Sequence, residues 1–165
     1  MKPTLYILCG CPGCGKTSWA NGFIASREIY NIDIRYVSRD EIRFSMLKEG
    51  EDYFAHENEV FNKFVDTIYT TLIDGFDVIA DATHLNPKSR AKLIRGIDGR
   101  GKVDYEIIYV SFNIPYEVCK ERNAQRTGRA RVPEENLEQM YRHYHEPRVT
   151  EDARCKGVWE VGYDE

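Results

Sequence analysis

No apolar run in these 165 residues approaches the length of a membrane span, and the N-terminus lacks the charged-then-apolar pattern of a secretory signal. Both absences point to a cytoplasmic protein with no membrane partner. There is no internal repeat, low-complexity tract or linker, so residues 1–165 read as a single domain long enough to bury a core. Positive charge is in deficit. Lys and Arg number 23 against 27 Asp and Glu, a formal net charge of −4, so a nucleic-acid ligand needs a local basic patch. Cysteines are few and odd in number, five in all, with Cys9, Cys11 and Cys14 crowded together. That suits a reducing compartment rather than a disulfide framework.

What is present is dominated by Gly10–Thr17, GCPGCGKT, which fits the phosphate-loop pattern G-x-x-x-x-G-K-[ST]. Glycines let backbone N–H groups turn toward a polyphosphate without a Cβ in the way. Lys16 can reach the β- and γ-phosphates, and the Thr17 hydroxyl can ligate Mg²⁺. A strand-like run, Thr4–Cys9, precedes the loop, and a helix-compatible stretch follows from Thr17 to Ser26. That context favours phosphate binding over a plain glycine turn. The C-x-C-x-x-C spacing could also suggest a metal, but no paired cluster answers it and Lys16 would oppose a cation.

Further strands are predicted at Ile32–Val37, Phe76–Ala80 and Val103–Phe112, with a short fifth at Val158–Val161. Helices are predicted from Arg39 to about Lys48, through the Val60–Ile73 amphipathic pattern, from Pro87, from Pro115 to about Arg126, and from Pro133 to about His145. Ser38 and Glu41 match a capping box, and Asn86-Pro87 a cap followed by proline at the first helical position. The alternation gives an α/β fold of the P-loop kinase type: a parallel sheet of four to five strands flanked by helices, with a basic lid. Ligands of such sheets sit beyond the carboxyl ends of the strands, so Asp40, Asp81 and the stretch near Arg126 should converge on the loop.

Asp40 and Arg43 share one helical face just after the second strand. A carboxylate there can take the proton of an attacking hydroxyl, and a guanidinium fork can hold a phosphate on the acceptor. The spacing also suits an ordinary dipole-favoured Asp in a surface ion pair; position in a phosphate-loop chain tips the balance to function. Asp81 ends an apolar strand, where an acidic residue would support Mg²⁺ directly or through water. Thr83 and His84 follow it, and a lone loop histidine is ordinarily polar surface. Lys120–Arg131 carries Lys120, Arg122, Arg126, Arg129 and Arg131 against one acid, Glu121, and Gly128 could serve as its hinge. Such a run between two helices reads as a lid over the transferring phosphoryl group. Charge does not single out one arginine. Trp159 reads as a packing residue beside the last strand, and no function is assigned to 149–165.

Four segments in order, GCPGCGKTSWA, SRDEIR, ADATHLNPKSR and FNIPYEVCKERNAQRTGRARVP, resemble the kinase domain of phage-type polynucleotide 5′-kinases. The resemblance spans residues 5 to about 145. It implies transfer of the γ-phosphate of ATP, or another NTP, with Mg²⁺, to the 5′-hydroxyl end of DNA or RNA in nucleic acid repair. Gly13, Cys14, Gly15, Lys16, Thr17 and Ser18 would bind the donor with Arg122 and Arg126. Asp40 would be the general base; Arg43 and Thr83 would hold the acceptor beside it. Thr17 and Asp81 would serve the metal, and Lys16 and Arg126 the transferring phosphoryl. Cys14 and Thr17 stand where that family often has serine, and the stretch at Asp81 is one residue longer than the family's pattern, so His84 is not placed by it. No D-x-D-G-T phosphatase motif occurs, which argues against work on 3′-phosphates. Two other readings remain: a kinase of another hydroxyl (nucleoside, sugar nucleotide, tRNA-borne group or modified base), or a nucleotide-binding switch. A switch has no use for Asp40 beside a basic lid.

Overall fold

The structure, a computed structural model, describes residues 1–163. In chain order the elements are β1 (Thr4–Cys9), α1 (Lys16–Glu28), β2 (Ile34–Ser38), α2 (Arg39–Met46), α3 (Glu57–Ile73), β3 (Asp77–Asp81), α4 (Pro87–Asp98), β4 (Glu106–Asn113), α5 (Tyr116–Ala124), α6 (Glu134–Arg142) and β5 (Cys155–Gly162). Single 3-10 turns stand at Gly128–Ala130 and Val149–Glu151. The five strands form one parallel sheet in the order β2-β3-β1-β4-β5. After β1 the chain winds to one side, and after β3 it crosses to the other. The loop leaving β1 therefore sits where the winding reverses, the place such sheets open a crevice.

Period-two alternation divides β1 between two cores. Leu5, Ile7 and Cys9 pack with Phe64, Val65, Ile68 and Leu72 of α3 and Leu93, Ile94 and Ile97 of α4. Tyr6 and Leu8 pack on the opposite face with Ala20, Trp19 and Phe23 of α1 and Cys119 of α5. Among the described residues no helix is long and apolar enough to cross a membrane.

Several boundaries differ from the sequence expectation, each for a local reason. β2 runs on through Ser38, because Ser38 pairs with Asp81 of β3 while its Oγ accepts the Glu41 N–H at 3.2 Å and caps α2. Only this half of the expected capping box forms. The box does close at α4, between Asn86 and Ser89. β4 begins at Glu106 rather than Val103, because its pairing partner β1 begins at Thr4, opposite Glu106. α5 stops at Ala124, two residues before Arg126. Asn123, almost fully buried, donates to Val132 O at 2.7 Å and accepts from Val132 N at 3.0 Å, which turns the chain out and ties its return.

β5 is eight residues long rather than four. Trp159 lies on it, 5.5 Å from the Tyr6 ring and 5.6 Å from Phe23, as a packing residue should. The preceding turn supplies Glu151, which takes two hydrogen bonds from the fully buried Arg90 at 2.9 and 3.0 Å. A buried arginine needs such a partner, since an unpaired buried charge is costly. The stretch 149–163 thus completes the sheet and neutralises α4.

Candidate active site

One cleft of about 1300 Å³ crosses the carboxyl ends of β1, β2 and β3. The phosphate loop forms one wall, α2 and the start of α3 the other, and the segment after α5 overhangs both. Lys16, Thr17, Asp40, Arg43, Asp81, Thr83, Arg122 and Arg126 all line it, together with Gly13, Cys14, Gly15 and Ser18.

The donor wall is built from backbone. Gly13 and Gly15 have φ of 82° and 92°, a left-handed conformation that side chains disfavour. A Cβ on Gly13 would lie 2.6 Å from the Cys119 carbonyl oxygen, so the loop is wedged against α5. Gly15 directly precedes α1, whose first N–H groups open toward the cleft and suit an anion. Lys16 Nζ donates to Gly10 O at 3.1 Å and Cys11 O at 3.2 Å, folding along the loop it serves. The three neighbouring sulfurs turn to three different partners: Cys9 to Ile7 O, Cys11 to Cys119 Sγ at 3.3 Å, and Cys14 to Lys16 Nζ. Burial pushes the Cys9 thiol up to about 12 and raises Cys14 as well. These are protonated packing groups.

Below the loop, Thr17 Oγ1 donates to Asp81 Oδ2 at 3.4 Å, and Tyr36 donates its phenol to the same oxygen. Burial first, then Asp81, raises the Tyr36 pKa, so it stays a donor. A hydroxyl and a carboxylate side by side suit a hard cation that takes most remaining ligands from water and phosphate. Among the described residues no three His, Cys, Asp or Glu side chains gather as a metal site.

His84 is not the polar surface residue its loop position suggests. It is 6% exposed, with Nδ1 2.7 Å from Leu8 O, and burial lowers its pKa to about 4. The neutral ring with hydrogen on Nδ1 is therefore a structural tie between the Asp81 loop and β1. Thr83 lies at the cleft edge and its carbonyl accepts Gly10 N at 2.9 Å. Through it the loop after β3 steadies the phosphate loop.

The acceptor wall is built from side chains. Arg43 is 6% exposed, far from a surface pair. Its Nε and Nη2 donate to the two Glu57 oxygens at 2.9 and 2.7 Å. Nη1 faces the cleft, donating to Tyr53 OH at 2.8 Å and to Asp40. Tyr53 in turn donates to Asp40 Oδ1 at 3.0 Å. Burial, then Asp40, pushes the Tyr53 phenol up to about 12, so that donation persists at neutral pH. The hydrogen bond from Arg43 first, aided by its charge, holds the Glu57 carboxyl below its ordinary value. Sequence reasoning misses Glu57, Tyr53 and Tyr36. No spacing rule links positions 43 and 57, since the loop between α2 and α3 brings them together.

The four arginines of α5 and the segment after it differ in their engagement. Arg122 Nη1 donates to Gly13 O at 3.3 Å, fastening α5 to the phosphate loop. Arg129 donates to Lys48 O at 2.9 Å, reaching the α2–α3 loop. Arg126 lies in the cleft lining and, among the described residues, its guanidinium holds no carboxylate and no carbonyl. Arg131 lines the cleft in the same way, so the geometry separates two arginines tied to backbone, Arg122 and Arg129, from two that face the cleft, Arg126 and Arg131. Gly128, with φ of 61°, opens the 3-10 turn between Arg126 and Arg129.

A family model described as an AAA domain matches residues 5–147. Among solved structures, Kti12 of Chaetomium thermophilum in complex with ADP-AlF3 superposes with a TM-score of 0.67 at 17% identity, over 97% of this chain and 89% of its own. A fungal RNA kinase gives 0.68 at 16% identity, over 100% and 77%. A gluconokinase from Sinorhizobium meliloti gives 0.57 at 17% identity, over 97% and 82%. At such identities the likeness establishes the P-loop kinase fold, shared by proteins named for quite different acceptors.

Proposed function

The chain belongs to this AAA domain family, and from that premise we propose that it transfers the γ-phosphate of ATP to the 5′-hydroxyl of a DNA or RNA end. One observation carries the reading: a carboxylate–arginine pair faces the phosphate loop across a single cleft, with an uncommitted arginine on the lid above. A switch protein needs the loop but has no use for the opposite wall.

In this reading the loop amides, Lys16 and Ser18 hold the donor phosphates. Thr17 and Asp81 hold Mg²⁺, which would neutralise charge on the donor phosphates. Asp40 accepts the proton of the 5′-hydroxyl as its oxygen bonds to the γ-phosphorus. The bond to the β,γ-bridging oxygen breaks, and ADP leaves with that electron pair. Tyr53 and Arg43 orient the Asp40 carboxylate, and the Arg43 guanidinium would bind the phosphate next to the attacked hydroxyl by exchanging its Nη1 hydrogen bond to Tyr53 for one to the phosphate. Arg126 stabilises charge on the equatorial oxygens of the transferring group. Arg39, Lys92, Arg129 and Arg131 add positive charge to the cleft of an otherwise acidic chain and suit a polyanionic acceptor.

The net charge of −4 and the likeness to a gluconokinase favour one competing acceptor class, a small hydroxyl compound. Incubation with γ-labelled ATP, Mg²⁺ and a panel of 5′-OH DNA, 5′-OH RNA, nucleosides, sugar nucleotides and sugar acids separates the two. Label on the oligonucleotides is the expected result. Label confined to small molecules would overturn the polynucleotide reading.

A further inference from the structure

Exposed aromatic rings on this molecule are mostly scattered, but three gather inside the cleft. Phe44 on α2 is 38% exposed and Phe54, in the loop before α3, is 55% exposed. Tyr53 stands between them, its ring centroid 6.1 Å from Phe44 at 72° and 4.7 Å from Phe54 at 81°. The three rings thus meet as a corner of near-perpendicular faces. The Arg43 guanidinium covers one face of Tyr53 at 4.5 Å, which leaves Phe44 and Phe54 to present apolar surface to the cleft. Exposed apolar clusters of this kind mark contact surfaces.

The corner adjoins the acceptor groups within one stretch of fifteen residues, Asp40–Phe54. In the reading above Asp40 addresses a hydroxyl and the Arg43 guanidinium a phosphate, and the rings offer a flat apolar ledge beside both. A terminal nucleoside carries those three features on one sugar: the 5′-hydroxyl, the 3′-linked phosphate and a planar base. Arg129 reaches the Lys48 carbonyl of the same loop, so the lid borders the ledge.

We propose that Phe44 and Phe54 form a stacking platform for the base of the acceptor's terminal nucleotide. The proposal rests on the polynucleotide reading above and deepens it. Stacking on a ring face tolerates any base, since every base has a π-face. The platform would therefore demand that a base be present without selecting which one. It would add grip where the overall charge of the chain is unhelpful.

The test compares a 5′-OH oligonucleotide with the same strand carrying an abasic tetrahydrofuran residue at its 5′ end. In the unaltered protein, loss of the base is expected to raise KM by about tenfold or more, the scale of one base–aromatic stack. The F44A/F54A double variant should raise KM for the intact end to the abasic value, and F54W should restore the difference on its own. Equal KM for intact and abasic ends in the unaltered protein would overturn the platform while leaving 5′-kinase activity standing. A double variant that still discriminates between the two ends would overturn it as well. Transfer to no oligonucleotide at all would instead sink the polynucleotide reading, and the platform with it. Thermal melting checks that the double variant folds; the abasic arm needs no variant.

Discussion

The two walls of the cleft solve opposite problems by opposite means. The donor wall is contiguous in sequence, Gly10 to Ser18, and works mainly through backbone pressed against Cys119 of α5. The acceptor wall is assembled from α2, the following loop and α3, and works through side chains: Asp40, Arg43, Tyr53 and Glu57. A polyphosphate is the same in every reaction, so a fixed backbone cradle serves it. An acceptor differs from enzyme to enzyme, and side chains can change without disturbing the sheet. That division explains how one fold is shared by an RNA kinase and a gluconokinase.

The sharpest way to test the division is to damage one wall and measure the other. Asp40→Asn keeps the size of the side chain but removes the proposed base. Turnover is expected to fall by about 10²–10⁴, with ATP affinity unchanged by calorimetric titration. Equal loss of ATP affinity would mean that the walls are not separable. Arg126→Ala should lower kcat by about 10²–10³ and ATP affinity by much less; unchanged turnover would move the lid role to Arg131. Gly13→Ala attacks the donor wall alone. A Cβ at 2.6 Å from a backbone oxygen, at φ of 82°, forces the loop to shift. A destabilisation of about 2–3 kcal/mol in urea unfolding is expected, with weakened ATP binding.

Two smaller effects separate the walls by pH and by acceptor. His84, under the donor wall, resists protonation in the fold to about 4, whereas the unfolded chain takes up that proton near its ordinary value of about 6.5. The unfolded state therefore binds more protons between those values, and stability declines as pH falls through them. The contribution is fully present above about 6.5 and amounts to about 3 kcal/mol. Denaturant melts from pH 4 to 7 should show this slope, and His84→Gln should flatten it. On the acceptor wall, Glu57→Gln releases the Arg43 fork. Its expected cost is about 1–2 kcal/mol in a part-exposed pair, with a raised acceptor KM and no change in KM for ATP.

The same contrast governs what is legible without the structure. Lys16 and Thr17 can be read because their chemistry lies in one uninterrupted motif, and Asp81 because an apolar strand ends on it. Ser38 and Asn86 announce their helices by local capping chemistry, which needs no tertiary partner. Arg43 can be singled out from its place just after β2, but its burial and its Glu57 clamp cannot. They depend on how α2 packs on α3, and sequence distance carries no trace of that. The length of β5 is illegible for a related reason. Lys156 and Gly157 look like a turn, yet Gly157 pairs with Ile108 across a bulge in the β4–β5 ladder. Arg126 cannot be told from its neighbours by charge. Contacts narrow the choice to Arg126 and Arg131, since Arg122 and Arg129 are occupied elsewhere.

The position of β1 has a consequence for how the molecule is made. Its residues are synthesised before those of β3 and β4, yet these are its partners, with Leu5 opposite Val78 and Thr4 opposite Glu106. At about 5–20 residues per second, the strand and its loop wait on the order of ten seconds for those partners to be synthesised. Pairings this distant also slow folding, because the entropy of closing long segments is lost before the contacts are gained. The phosphate loop is thus made well before the strands that flank β1 and hold it in place. During that interval Thr4–Cys9 is an unpaired apolar strand, open to the non-native contacts that such segments invite.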